Sequence, residues 1–324
     1  GEERPGGRSS LVAQLYDASL FIFGGHGGSN TTLGDFHKFA LADSSHRNDE
    51  AATIRDLSSL PKAELHLHLE GAMRPGTLRE LCAKYSIPEP SIPCYDENNN
   101  PRPVTDASRF DDFSAFVGVY IAACDCLRVD EDVCRLVLEV AQDLKDCGVV
   151  YAEIAPSFTF YSKHFGSMEN TLRVLVNAAS IAERETGVII NYVVSVERQL
   201  GVDAALELAH LARTGATDMT INGRPAVVGF GLHGPEEGNP PGPFKDAFRI
   251  ACGDGTLASL PHAGEIAPSP GTGAKSVLDA VQILDSRRVA HGVLAKDDAE
   301  TIKVLKQKKI ALDMGITSNY LLNV

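Results

Sequence analysis

The chain has 324 residues, 44% of them hydrophobic, with 43 acidic against 30 basic side chains and a formal net charge of -13. That length buries one barrel-sized core or two smaller ones. The negative charge excludes nucleic acid or an anionic membrane as the main partner, and no run approaches the ~18 apolar residues of a bilayer span. The seven cysteines, at 82, 94, 124, 126, 134, 147 and 252, are odd in number and irregularly spaced, as reduced thiols of a cytoplasmic protein would be. Cys124-Asp125-Cys126 lacks the wider spacing and the second pair of a zinc clip.

Residues 1–56 are poor in periodicity and rich in Gly, Ser, Asp and Asn, so they are expected to form a flexible N-terminal extension with room for one short helix. The apolar patch Leu20-Phe21-Ile22-Phe23 follows Asp17 and lacks the basic start and small-residue cleavage site of a secretory signal, although a start at Gly1 leaves a removed leader open. Asn30-Thr31-Thr32 matches a glycosylation acceptor, a short motif common by chance. His26, His37 and His46 read as surface histidines.

From residue 57 onward, apolar β-branched runs alternate with amphipathic stretches, the pattern of parallel βαβ units. Strands are predicted over 64–69, 149–155, 188–196, 226–232, 257–262, 287–291 and 309–314. Helices are predicted over 75–85, 132–147, 170–186, 202–214, 276–285 and 297–308, with glycines at 148, 187 and 215 placed where helices stop. Between the first two strands, residues 86–127 combine a Pro- and Asn-rich section with a helical stretch, 110–127, and are expected either to lie over the active face as a lid or to be a peripheral decoration. The fold class is α/β over residues 57–324; a TIM-type (β/α)8 barrel would have seven of its eight strands present, so either the architecture is another or the chain is an incomplete copy.

Chemistry gathers at the strand ends. In His66-Leu67-His68, side chains two apart on a strand share a face, so both imidazoles point the same way while Leu65, Leu67 and Leu69 point to the helix layer. Later strands end in Pro261-His262-Ala263-Gly264-Glu265, in Ala290-His291-Gly292, and before Thr317-Ser318-Asn319. The C-terminal ends of barrel strands converge on one face, so His66, His68, His262, Glu265 and His291 are expected to share a pocket. Taken singly, each has a plainer reading as a loop histidine, a solvated carboxylate or a core imidazole.

These blocks, with Glu70-Gly71 and the stretch from Val228 through Gly234-Pro235-Glu236, resemble the signature motifs of the adenosine/adenine deaminase family, in order from about residue 60 to 324. The resemblance implies zinc-dependent hydrolytic deamination of adenosine or 2'-deoxyadenosine, with adenine or aminofutalosine as alternative substrates. It implies one Zn2+ held by His66, His68 and His262, a water oriented by His291 as base or electrostatic partner, and Glu265 as donor to the purine ring nitrogen. It further implies substrate contacts from Glu70 near the sugar, from the Gly234 backbone and from His68, with His233 at the rim. The partner is then a small purine nucleoside. The family's last metal ligand is an Asp in a Thr-Asp-Asp-Pro block after the eighth strand, and this sequence stops at Val324, before it. Asp313, inside the seventh strand, and Asp297-Asp298, at a helix start, are not its counterparts. Met314-Gly315-Ile316 also departs from the family's Cys-Pro approach to the Thr-Ser-Asn block. The chain is accordingly expected to be C-terminally incomplete and poorly active or unstable by itself. Two competing readings are a barrel hydrolase of amides or esters and a non-catalytic homologue that binds without turnover.

Overall fold

The computed structural model describes residues 60–324 apart from 97, 99 and 268, and between residues 12 and 40 the backbone of a few short strands. The rest of the predicted N-terminal extension lies outside the described residues. Within it, Val12–Tyr16, Ser19–Phe23 and Phe36–Ala40 pair as antiparallel strands, where the sequence leaves room for a helix.

Seven parallel strands build the main sheet: β1 (Lys62–His68), β2 (Val149–Ala155), β3 (Ile189–Glu197), β4 (Val227–His233), β5 (Ala258–Ala263), β6 (Arg288–His291) and β7 (Ala311–Asp313). Their spatial order is their chain order, each bonded to the next, which is the nearly closed TIM-type barrel expected from the sequence. Helices α1 (Pro75–Tyr85), α2 (Phe113–Asp125), α3 (Asp130–Asp146), α4 (Met168–Thr186), α5 (Gly201–Thr217), α6 (Lys245–Cys252), α7 (Thr272–Ile283), α8 (Ala299–Lys308) and α9 (Ile316–Leu321) fill the connections. Among the described residues, no helix is long and apolar enough to cross a membrane.

The strand alternation sorts the core. On β4, Phe230 and Leu232 are fully buried in the helix-facing core, while Gly229 and Gly231 face the crowded interior. A Cβ on Gly229 would meet Leu260 at 2.5 Å, and one on Gly231 would meet Ser195 Oγ at 2.3 Å. The interior floor is small and apolar, formed by Ala155, Val193 and Leu260. Where β7 faces β1, side chains make the link. Arg288 donates to Asp313 Oδ2 at 2.8 Å and to the Leu65 carbonyl at 3.4 Å, and it pairs with Glu153 at 2.5 Å, tying β6 to β7, β1 and β2. Asp313 is thus paired with Arg288.

Helix limits follow local chemistry. Ser167 caps α4 by accepting the Asn170 amide at 3.1 Å, and Gly187, at φ +80°, closes it where expected. Gly215 does not end α5, which continues to Thr217. A Cβ there would sit 2.4 Å from Val227 Cγ2, so this glycine serves close packing of α5 on β4. Helix α6 carries no strong sequence signal beyond Ala247, Phe248 and Ala251 on one buried face. Strand β7 is shorter than predicted because Lys309 is the left-handed cap of α8 (φ +54°), and the chain turns into α9 after Met314. Asp298 caps α8, accepting the Thr301 amide at 2.8 Å, which is the helix-start role read from the sequence.

Candidate active site

The ends of β1, β5 and β6 bring His66, His68, His262 and His291 together. Nε2 of His262 lies 3.0 Å from Nε2 of His66 and 3.0 Å from Nε2 of His68. The His66 and His291 rings are 4.9 Å apart, and those of His262 and His291 are 5.5 Å apart. Side chains nearly 200 residues apart in sequence meet because parallel strands deliver their C-terminal ends to one face.

Burial lowers the pKa of all four imidazoles. His66 and His291 fall to about 4, and His68 and His262 lie well below the ordinary value, the neighbouring rings adding to burial at His66, His68 and His262. All four are neutral at physiological pH and have lone pairs to offer. The Asp313 carbonyl accepts from His66 Nδ1 at 3.0 Å, which leaves Nε2 of that ring as the lone pair. One proton on His262 Nε2 could then serve only one of its two imidazole neighbours, and His262 Nδ1 is buried without a partner. Hydrogen bonding alone leaves this cluster unsatisfied, whereas a cation accepting the converging nitrogens satisfies it. The donor set therefore fits a metal of the zinc type.

Two triplets can be drawn from the four rings. His66, His262 and His291 offer nitrogens all within 4.8 Å of one another, while His68 reaches the cluster through His262. His291 also has partners outside the cluster. Its Nδ1 is 3.3 Å from Asn319 Oδ1, and its Nε2 is 3.4 Å from Glu265 Oε1, so both nitrogens already face protein groups. The backbone of His291 is left-handed at φ +62°, as is Gly292 at +67°. A residue other than glycine held there is the kind of local strain that functional sites store. Burial, followed by the charge of Glu236, raises the Glu265 carboxyl to about 7. It can therefore carry a proton at neutral pH.

Glu70 is held by protein donors. It is 1% exposed, and three donor groups meet its two oxygens, the Ser157 amide spanning both and the Tyr120 hydroxyl also lying 2.9 Å from Ser157 Oγ. Oε1 accepts from the Ser157 amide at 3.0 Å and the Tyr161 hydroxyl at 2.7 Å, and Oε2 accepts from Tyr120 at 2.9 Å and again from Ser157 at 3.2 Å. Tyr120 belongs to α2, in the 86–127 insertion, and its ring is 6.1 Å from that of His68, so this insertion reaches the histidine face. His233 is not at the rim. It is buried, 5.1 Å from the His68 ring and 5.8 Å from that of His262, because β4 runs one residue further than predicted and strand alternation turns His233 inward. Its Nε2 contacts Glu197 at 3.5 Å and Ser157 Oγ at 3.3 Å. Gly234, next in the chain, has φ +92°, and a Cβ would come within 2.6 Å of Gln199 Oε1.

Sequence reasoning passed over Arg198, a fully buried guanidinium that donates to the His262 and Asn239 carbonyls. Burial lowers its pKa to about 10, which keeps it charged at neutrality. The available signal was a charged pair, Glu197-Arg198, ending an otherwise buried strand on the barrel's active face.

A barrel with clustered neutral imidazoles and an adjacent carboxylic acid at its C-terminal face carries the groups that hydrolytic chemistry on a metal-bound water uses. Comparison with known families narrows this class. Residues 61–324 match the family model described as adenosine deaminase, and the chain belongs to that family. It is 35% identical over 272 residues to a putative adenosine/adenine deaminase of Streptomyces coelicolor, covering 84% of this chain and 75% of the relative. It is 36% identical over 276 residues to an aminodeoxyfutalosine deaminase of Streptomyces avermitilis, covering 83% and 72%. Among solved structures, adenine deaminase of Arthrobacter aurescens superposes with a TM-score of 0.65 at 26% identity, covering 81% of this chain and 73% of that one. The chain is thus an enzyme of the deaminase kind, a hydrolase of C–N bonds in purine-like substrates.

Proposed function

We propose that the protein hydrolyses the exocyclic amine of adenosine and 2'-deoxyadenosine, giving inosine or deoxyinosine and ammonia. One observation carries the reading: neutral imidazoles from three strand ends converge beside Glu265, whose carboxyl is raised to about 7. His66, His68 and His262 would hold one Zn2+, with His291 left to the reacting water because its nitrogens face Asn319 and Glu265. When bound, zinc supplies the Lewis acidity that lets a water molecule ionise near neutrality.

Glu265, protonated, donates to the ring nitrogen beside the amine-bearing carbon and makes that carbon electrophilic. Asn319 Oδ1 accepts from His291 Nδ1, so Nε2 holds the lone pair that takes the proton of the attacking water. The C–N bond breaks with its electron pair on nitrogen, and the amine leaves as ammonia after taking up a proton. The Gly234 backbone, at a left-handed position free of a side chain, is the edge against which the purine lies. The 86–127 insertion, reaching the site through Tyr120, acts as its lid.

The engagement of Glu70 favours a second reading. A carboxylate already held by Ser157, Tyr120 and Tyr161 offers less acceptor capacity to a sugar hydroxyl than a free one. Substrates that make no demand on it, adenine or a 5'-modified nucleoside such as aminodeoxyfutalosine, then gain over adenosine. A panel of adenosine, deoxyadenosine, adenine and aminodeoxyfutalosine, with metal content measured in parallel, decides. Turnover of either nucleoside supports the first reading, turnover confined to the other two supports the second, and a metal-loaded protein that deaminates none refutes both.

The pH profile follows from Glu265. A carboxyl raised to about 7 is a competent acid below that value and loses its proton as pH rises through it. The value of kcat/KM is expected to fall about tenfold per unit above roughly pH 7. A flat profile from pH 7 to 9 would assign the proton to another group.

A further inference from the structure

Glu236 lies two residues beyond Gly234, on the loop leaving β4, and its carboxylate is turned toward the next strand's loop. Oε2 accepts from the Gly264 amide at 3.0 Å and from the Ser276 hydroxyl of α7. Oε1 accepts from the amides of Glu265 at 2.9 Å and Ile266 at 3.2 Å. Three consecutive backbone N–H groups closing on one carboxylate form an anion nest, with charge-assisted bonds stronger than neutral ones. The segment so held has little slack. Gly264 is left-handed at φ +65°, and a Cβ on it would strike Val277 at 2.5 Å. At the segment's other end, Arg198 grips the His262 carbonyl. Residues 262–266, which carry both an imidazole of the cluster and the acid, are thus clamped by side chains from the loops after β3 and β4.

We infer that Glu236 is a positioning residue for deamination: by binding the amides of residues 264–266 it fixes the backbone from which Glu265 reaches the substrate ring. The inference rests on the deaminase reading and adds to it a residue that touches neither substrate nor metal. It also makes the loop bearing Gly234, the proposed purine edge, and the loop bearing the acid one mechanical unit. Displacing a catalytic group by about 1 Å costs on the order of 100-fold in rate, so a clamp of this kind acts on kcat.

The test is Glu236→Gln in the full-length, zinc-loaded protein. An amide group places N–H donors against backbone N–H donors on at least one side, so the nest is broken while size is kept. Expected are a kcat about 100-fold lower, with KM and bound metal within about twofold of wild type, and amide hydrogen exchange at residues 264–266 about tenfold faster or more. Glu237→Gln removes the same charge from the exposed neighbour and is expected to stay within about twofold in kcat. Should Glu236→Gln fail to fold, Glu236→Asp keeps the charge, retracts it by one methylene, and is expected to lose about tenfold in kcat at constant metal content. Either folded variant turning over at the wild-type rate overturns the inference. So does a loss that merely follows loss of metal or of folded protein. A wild type that deaminates no purine sinks the deaminase reading itself, and this inference with it.

Discussion

Glu265→Gln is expected to keep its metal and fold while kcat drops on the order of 10³- to 10⁴-fold, the upper range for loss of a positioned general acid. The substitution keeps the side chain's size, and the backbone amides at 264–266 still meet Glu236, so the loop stays in place. What disappears is a proton held at a carboxyl raised to about 7 in a buried setting, 3.4 Å from His291. A glutamine amide cannot deliver that proton to a ring nitrogen. Because the acid acts on the bound substrate, KM should change far less than kcat. Zinc stoichiometry, thermal midpoint and steady-state kinetics on one preparation check all three statements. Turnover within about tenfold of wild type would show that another group donates, and the protonated acid would lose its place in the mechanism.

The extent to which this site is legible in sequence depends on the kind of signal. His66 and His68, His262 and His291 lie at the ends of three short strand runs, so recognising the strands already places four imidazoles on one rim. Predicted and observed strands agree within two residues at each end for all seven, where strand period and flanking turns reinforce each other. Contacts between loops are invisible to such reasoning. The anchoring of Glu70 depends on Tyr120 and Tyr161, and the grip of Glu236 depends on a loop 28 residues downstream. His233 shows how little error matters in one direction and how much in the other. A one-residue extension of β4 moves it from the supposed rim into the histidine cluster, since each step along a strand reverses the facing. Gly215 shows a composition signal with two physical causes, helix termination and close packing, and only the neighbouring Val227 tells which applies.

His262 is the hub of the cluster, and His262→Ala is expected to abolish stoichiometric metal binding. Both β1 imidazoles meet its Nε2 at 3.0 Å, so its removal leaves His66 and His68, whose rings are 5.7 Å apart, without the ligand that joins them. Zinc prefers four-coordinate sites, and a catalytic site keeps about three protein ligands, so a two-imidazole remnant should hold less than about a tenth of an equivalent after dialysis. Turnover should fall with the metal to background, since no residue here ionises water near neutrality unaided. Folding should suffer much less. The lost imidazole leaves a cavity, but its Nδ1 is a buried atom with no partner, and relieving that burden offsets part of the cavity cost. The Arg198 bond goes to the backbone carbonyl of residue 262 and survives the substitution. We expect the metal-free variant to lie within about 2 kcal/mol of metal-free wild type in denaturant unfolding. His233→Ala, by contrast, removes a buried ring from the same face but should retain about one metal per chain, because its Nε2 is turned to Glu197 and Ser157. If His262→Ala kept the metal and His233→Ala lost it, the ligand set would have to be redrawn around β4.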